Sequence, residues 1–139
     1  MNFIAANNAN DIFYNYLLSG IYSPKASIQT IANAMDVGDP SNFARILDLY
    51  KSSHAEICNH ISGATYSDDE IAATMKKCYE QTGYVLDPHG ACGYQALKDN
   101  LKEGETGVFL ETAHPAKFKE KVDAILSTDI EIPTRLADL

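Results

Sequence analysis

The chain has 139 residues, of which 45% are hydrophobic and 22% charged, and its formal net charge is −8. This size and composition fit one folded domain over residues 1–139 and exclude global disorder. The negative charge argues against a nucleic-acid partner and against binding to an anionic membrane. No apolar run reaches the ~18 residues of a membrane span, and three widely spaced cysteines indicate reduced thiols, so we expect a cytoplasmic protein.

The first part of the chain is predicted to hold a strand and two helices. Phe3 to Ala6 is a short apolar run typical of a buried strand, and the Asn-rich stretch Asn7 to Asn10 predicts a turn. Asp11 can cap the helix that follows, and Gly20 is expected to end it. Apolar residues at helical spacing predict a second helix from about Ser27 to Met35.

The middle of the chain is predicted to be helical. An apolar pattern that starts after Ser41 indicates a helix, which can continue through Ile57. Ser67 and Glu70 have the spacing of a capping box, in which the side chain of each residue accepts a hydrogen bond from the backbone N–H of the other. They predict a helix that begins near residue 68 and ends at Gly83.

Strands and helices alternate in the rest of the chain. Tyr84 to Leu86 and Thr106 to Leu110, with its core at Val108 to Leu110, are predicted as strands. Ala91 to Leu97 is predicted as a helix between them, and Pro115 fits the first turn of a last helix. Strands joined by helical crossovers predict an α/β fold, a partial three-layer arrangement with a small, mainly parallel sheet flanked by helices.

The run from Ala32 to Arg45 predicts an anion site. Ser41 and Asn42 place short polar side chains at the start of a helix, and Arg45 follows one turn later. Such a helix start, with a guanidinium nearby, suits a phosphate or a carboxylate. The alternative is a capped helix whose solvated arginine pairs with a neighbour such as Asp48.

Two further candidates lie at the ends of predicted strands, where ligands gather in open α/β sheets. Thr112 could contact a ligand there, or it could cap the helix that begins near Pro115. His89 could act as a general acid or base, contact a substrate, or pin its own loop.

A zinc site is the rival constellation. His54, Cys58, His60, His89 and Cys92 are metal-ligand types, and His54 and Cys58 are one helical turn apart. The spacing matches no strong zinc pattern, and buried free cysteines usually act as small hydrophobes. We therefore expect no metal.

Four segments in order resemble the threonine synthase family, specifically its C-terminal part. They span most of the chain: Ala5 to Ile12, Ala32 to Arg45, Tyr84 to Ala91, and Glu111 to Phe118. The resemblance implies part of a fold type II enzyme, similar to tryptophan synthase beta, that uses pyridoxal phosphate to convert O-phosphohomoserine and water into threonine and phosphate.

The same resemblance implies roles for individual residues. It places the Thr112 hydroxyl at the pyridine nitrogen of the cofactor, and it makes Ser41, Asn42, Arg45 and His89 candidate substrate contacts. In that family the lysine that binds the cofactor covalently and the loop that cradles its phosphate lie upstream of the matching region. We therefore expect the isolated chain to bind no cofactor, to be inactive, and to have the rest of its own enzyme as partner.

A different class of function stays open at this point. The chain could be a free-standing domain that binds a small anion or a partner without catalysis. The thin predicted sheet also leaves apolar faces and a strand edge uncovered, so we expect self-association of the isolated chain.

Overall fold

The computed structural model describes residues 2–137. It forms two compact units, Met1–Ser67 and Asp68–Leu139, called here the N-terminal and C-terminal units. The described residues contain both helices and a parallel sheet, so the predicted α/β class is confirmed.

A two-stranded parallel sheet lies in the N-terminal unit. Strand β1 (Phe3–Asn7) pairs with β2 (Ile61–Thr65) in a register that runs from Phe3 opposite Ile61 to Asn7 opposite Thr65. The first strand was predicted. The second was not, because Ser62 and Gly63 in its centre are poor strand formers and the strand follows a helix without a turn.

Three helices accompany this sheet: α1 (Ile12–Ser19), α2 (Phe43–Leu49) and α3 (His54–His60). Helix α1 ends at Gly20 as predicted, with a left-handed φ of 72°. The predicted continuation of α2 into α3 is wrong, because Lys51 and Ser52 take positive φ values and Ser53 caps a new helix. The core between these helices is aromatic and aliphatic, built on Tyr16, Phe43 and Ile57.

Two local predictions in this unit are wrong. The helix expected from Ser27 to Met35 is irregular backbone apart from a single 3₁₀ turn at Asn33–Met35. Asp11 precedes α1, but its side chain makes no cap hydrogen bond. Its carboxylate pairs instead with Lys25, 2.6 Å away, and so ties the start of α1 to the following loop.

Helices make up the regular structure of the C-terminal unit. They are α4 (Asp68–Thr82), α5 (Pro88–Asn100), a 3₁₀ turn (Pro115–Phe118), α6 (Lys119–Leu126) and α7 (Thr134–Ala137). Helix α4 packs on both α5 and α6. Their shared interior is built from small and medium apolar side chains: Ile71, Met75, Cys78, Ala91, Cys92, Ala96 and Val122.

The strands predicted at Tyr84–Leu86 and Thr106–Leu110 are wrong, since neither segment pairs with another in the described residues. The first serves as the approach to α5 and buries Leu86. The second alternates in burial like a strand, with Phe109 turned inward and Val108 and Leu110 exposed. Alternation alone therefore suggested a strand, although the described part of the chain offers this segment no neighbouring strand.

Candidate functional site

Asp87 organises the start of α5. The helix begins at Pro88, three residues before its predicted start, because Asp87 caps it and proline suits its first turn. Asp87 Oδ1 accepts from the His89 backbone N–H at 2.9 Å and from the His89 ring Nδ1 at 2.6 Å. The imidazole also lies against Phe118, with ring centroids 4.7 Å apart. His89 is thus held on several sides, as expected for a residue that pins its loop.

Glu111 meets this cap from a distant point in the sequence. Its Oε1 lies 3.4 Å from the Asp87 backbone N–H. Its other oxygen, Oε2, and Oδ2 of Asp87 are both buried and have no hydrogen-bond partner among residues 2–137. Sequence reasoning missed Glu111, because nothing in a separation of 24 residues indicates that two carboxyl groups will meet.

The pKa values of the two carboxyl groups are shifted in opposite directions. Burial, followed by the charge of Asp87, raises the pKa of Glu111 to about 7. Burial alone would raise the pKa of Asp87 as well, but the hydrogen bonds from His89 outweigh it and lower that pKa. Near neutral pH, Asp87 is therefore the ionised partner and Glu111 the one that carries the proton.

Thr112 follows directly and is exposed. Its hydroxyl makes no hydrogen bond with the residues that the structure describes, so it is available to a ligand. The alternative role as a helix cap is filled by another residue. His114 Nδ1 accepts from the Ala116 N–H at 3.1 Å and caps the 3₁₀ turn.

A cavity of about 360 Å³ in the N-terminal unit collects part of the predicted anion site. It opens where β1 ends and includes both Ser41 and Asn42 in its wall. The other residues around it come from the Asn-rich turn, α1 and the loop before α2: Ala6, Asn7, Asn8, Asn10, Ile12, Phe13, Met35, Val37 and Pro40. The cavity wall therefore contains both amide or hydroxyl side chains and apolar side chains.

Arg45 stands apart from that wall. It is exposed and does not line the cavity. Its predicted alternative partner, Asp48, lies 3.8 Å from Lys51 instead. The structure thus brings Ser41 and Asn42 to one cavity, leaves Arg45 outside its wall, and places Thr112 and His89 in the C-terminal unit.

Buried amides hold the loop that forms this cavity. Asn8 Nδ2 donates to Thr30 Oγ1, to the Ala32 carbonyl and to Asp36 Oδ1, at 2.9, 3.2 and 2.9 Å. Asn10 binds both the N–H and the carbonyl of Ile28. These side chains take up the backbone groups that the predicted helix would have used.

The candidate zinc ligands do not form one group. His54 Nε2 lies 3.3 Å from Cys58 Sγ but also within 3.1 Å of two backbone carbonyls, and His60 bonds to the Glu56 carbonyl of its own helix. Cys92 is buried. No set of three or more metal-ligating side chains occurs among residues 2–137.

Comparisons with known proteins place the chain in a family. Residues 1–112 match the family described as pyridoxal-phosphate dependent enzyme. The chain belongs to the pyridoxal-phosphate dependent enzymes. Residues 90–139 also match the family described as threonine synthase, C-terminal.

No helix in the described part of the chain has the length and apolar character needed to cross a membrane.

Within this family the similarity is to threonine synthases. The chain is 46% identical over 134 residues to that of Haemophilus influenzae and 43% identical over 136 residues to that of Escherichia coli. The crystal structure of the Escherichia coli enzyme matches 99% of this chain with a TM-score of 0.91 at 42% identity. The predicted resemblance is therefore confirmed. Those two sequence matches include 96% and 98% of this chain, but the chain spans only 31% of the length of each relative.

A pyridoxal-phosphate-bound threonine synthase from Brucella melitensis is also similar, with a TM-score of 0.89 and 30% identity over 99% of this chain and 35% of that one. The residues present here fit one part of such a cofactor. The exposed Thr112 hydroxyl has a donor and acceptor free for a ring nitrogen.

Proposed function

We propose that this chain forms the C-terminal part of a threonine synthase, which converts O-phosphohomoserine and water into threonine and phosphate. The observation that carries the proposal is the match of 99% of the chain to the Escherichia coli enzyme at a TM-score of 0.91 and 42% identity. The match of residues 90–139 to the threonine synthase C-terminal family supports it independently of the wider family.

Thr112 is proposed to hold the cofactor at its pyridine nitrogen. When bound, pyridoxal phosphate supplies an electron sink for the substrate's carbon atoms. A hydroxyl is a weaker partner for that nitrogen than a carboxylate, which would hold it protonated. The free, exposed hydroxyl supports this role, and it would moderate the electron-withdrawing strength of the ring.

Substrate contacts are proposed for Ser41, Asn42, Arg45 and His89. Ser41 and Asn42 offer hydroxyl and amide donors in the cavity wall, where a phosphate or carboxylate oxygen can be bound. Arg45 is exposed, and a guanidinium binds either anion in a bidentate manner. His89 is held by Asp87, which fixes the direction of its ring.

The remaining two thirds of such an enzyme are the proposed partner of this chain. Large apolar side chains are exposed, among them Val108 at 82% and Leu110 at 76%, and these suit coverage by further protein. We accordingly propose that the isolated residues 1–139 act as one domain that self-associates, binds no pyridoxal phosphate and lacks activity. The three free cysteines support a cytoplasmic location. Light scattering that shows a monomer at high concentration would argue against the self-association.

A chimera tests the activity. The corresponding part of Escherichia coli threonine synthase is replaced by this chain, and phosphate release from O-phosphohomoserine is measured. We expect threonine and phosphate as products, and a loss of at least tenfold in turnover on Thr112→Val. The matched control is Thr106→Val, at an exposed threonine of the same unit, which should leave turnover unchanged.

Two outcomes would contradict the proposal. One is a chimera that folds and binds pyridoxal phosphate but makes no threonine. The other is equal turnover in the Thr112 and Thr106 variants. The isolated chain provides a second test, since a borohydride-trappable bond between one of its lysines and the cofactor would show that residues 1–139 bind it covalently.

A further inference from the structure

Two buried carboxylate oxygens in the C-terminal unit have no hydrogen-bond donor among residues 2–137. These acceptors are Asp87 Oδ2 and Glu111 Oε2, and the contact of 3.4 Å between Glu111 Oε1 and the Asp87 N–H brings the two residues together. Buried polar atoms are almost always hydrogen-bonded, because an unmet acceptor has lost its water for nothing in return. One proton placed between the two groups satisfies both atoms.

That proton belongs on Glu111. Asp87 already receives two hydrogen bonds at Oδ1, from the backbone and the ring of His89, and these favour its ionised form. From the residues that the structure describes, the Glu111 carboxyl group receives only the long contact of 3.4 Å from the Asp87 N–H. The Glu111 carboxyl is therefore the donor, and Asp87 Oδ2 is the acceptor.

Gly90 shows that this contact is built into the helix. A Cβ atom at Gly90 would lie 1.8 Å from Glu111 Oε2, so the Glu111 carboxyl group would have to leave its present place. The first turn of α5 is thus open at the place where the carboxyl group of Glu111 lies. This carboxyl group anchors Glu111, which is the immediate neighbour of Thr112.

The charged and titratable groups around Glu111 come from two segments. Asp87 and His89 belong to the start of α5, and Tyr84 belongs to the segment before it. Burial, and then the charge of Glu111, raise the pKa of Tyr84, so its hydroxyl stays neutral near pH 7. Because burial raises the pKa of Glu111 to about 7, its carboxyl group changes its charge near neutral pH.

We propose that Glu111 is a positioning residue, whose protonated carboxyl group donates to Asp87 and thereby fixes the backbone from which the Thr112 hydroxyl projects. The inference rests on the proposed function for the use of Thr112, but the contact itself does not. When Glu111 loses its proton, two like charges face each other in a buried site, and the segment that carries Thr112 is released.

Nuclear magnetic resonance on the 139-residue chain tests this between pH 5 and pH 9. The side-chain carboxyl carbon of Glu111 should titrate at least one pH unit above the ordinary glutamate pKa of about 4.3. The amide order parameter of Thr112 should fall across the same midpoint, from about 0.85 toward 0.6.

Three variants separate positioning from a general loss of structure. Glu111→Gln keeps a donor toward Asp87, so Thr112 should stay ordered at every pH. Glu111→Ala removes the donor, so Thr112 should be mobile at every pH. Glu103→Ala is the matched control and should change neither measurement. If Glu111→Ala does not fold, the wild-type titration and the glutamine variant still decide.

Either of two results would overturn the inference. Glu111 could titrate at the ordinary glutamate pKa of about 4.3, or Thr112 could keep its order when the Glu111 carboxyl group is ionised or removed. Failure of the proposed function is seen separately, in a chimera that makes no threonine while the titration of Glu111 in the isolated chain is as expected.

Discussion

Asn8 is predicted to hold the whole loop between α1 and α2, and Asn8→Asp tests this with almost no change in shape. The side chain is fully buried, and its Nδ2 group donates to Ala32 O at 3.2 Å and to Asp36 Oδ1 at 2.9 Å. An aspartate oxygen at that place faces two acceptors, the Ala32 carbonyl and Asp36 Oδ1, and a Thr30 hydroxyl that already donates to Asp36. It also brings a second carboxylate against Asp36, which already accepts from Asn10 and Thr30.

The magnitude follows from these contacts. Two lost hydrogen bonds cost about 2 kcal/mol together. Like charges at the 2.9 Å of the present contact repel by roughly 6 kcal/mol at an effective dielectric constant of ~20, and local rearrangement or proton uptake reduces this. We expect the free energy of unfolding to fall by about 4 kcal/mol at pH 7, a large share of a domain's stability.

Urea denaturation followed by circular dichroism measures this, since the chain has no tryptophan. The loss should shrink at pH 5. Repulsion from Asp36 raises the pKa of the new carboxyl group in the folded state, so stability is retained at low pH and lost as pH rises. Asn33→Asp adds the same charge at an exposed position of the same loop and should cost little. Equal stability of the two variants would refute the role given to Asn8.

Four further predictions concern local contacts and burial. Gly38→Ala would place a Cβ 1.8 Å from the Lys25 carbonyl, and because backbone cannot move aside, it should lower the free energy of unfolding by more than about 2 kcal/mol. Gly20→Ala, at a φ of 72° and with the added Cβ in ordinary contact with the His54 ring at 3.5 Å, should cost about 1 kcal/mol, and the reverse order in urea denaturation would contradict both. Ser53→Ala removes the side chain that accepts from Glu56 N–H at the start of α3 and should lower the free energy of unfolding by about 1 kcal/mol. A loss no larger than that of Ser52→Ala would contradict the capping role of Ser53. Burial raises the pKa of Cys92 to about 12, so a thiol reagent at pH 8 should label exposed Cys58 long before Cys92, and equal rates in the folded chain would show that Cys92 is not buried.

Helix α4 shows what the sequence predicts well. Its apolar residues recur at helical spacing, and Ile71, Met75 and Cys78 are accordingly buried. The predicted helix from Ser27 to Met35 has a similar pattern but does not form. Its backbone groups are bound by the side chains of Asn8 and Asn10, which lie about twenty residues earlier. Short polar side chains that compete for backbone hydrogen bonds are invisible to a periodicity argument.

The candidate site shows the same division. Thr112 and Ser41 came from local motifs, and the structure finds one exposed and the other in a cavity wall. Glu111 lies within the same motif as Thr112, yet its importance depends on Asp87 and on the open first turn at Gly90. Strand β2 was missed for a related reason, since Gly63 and its neighbours become a strand only through pairing with β1.

A crystal structure of the chimeric threonine synthase with pyridoxal phosphate bound tests the central claim most directly. The measurement is the distance from the Thr112 hydroxyl oxygen to the pyridine nitrogen of the cofactor. We predict a hydrogen bond of about 2.7 to 3.2 Å. A separation well beyond that range, with another side chain at the nitrogen, would contradict the role given to this threonine.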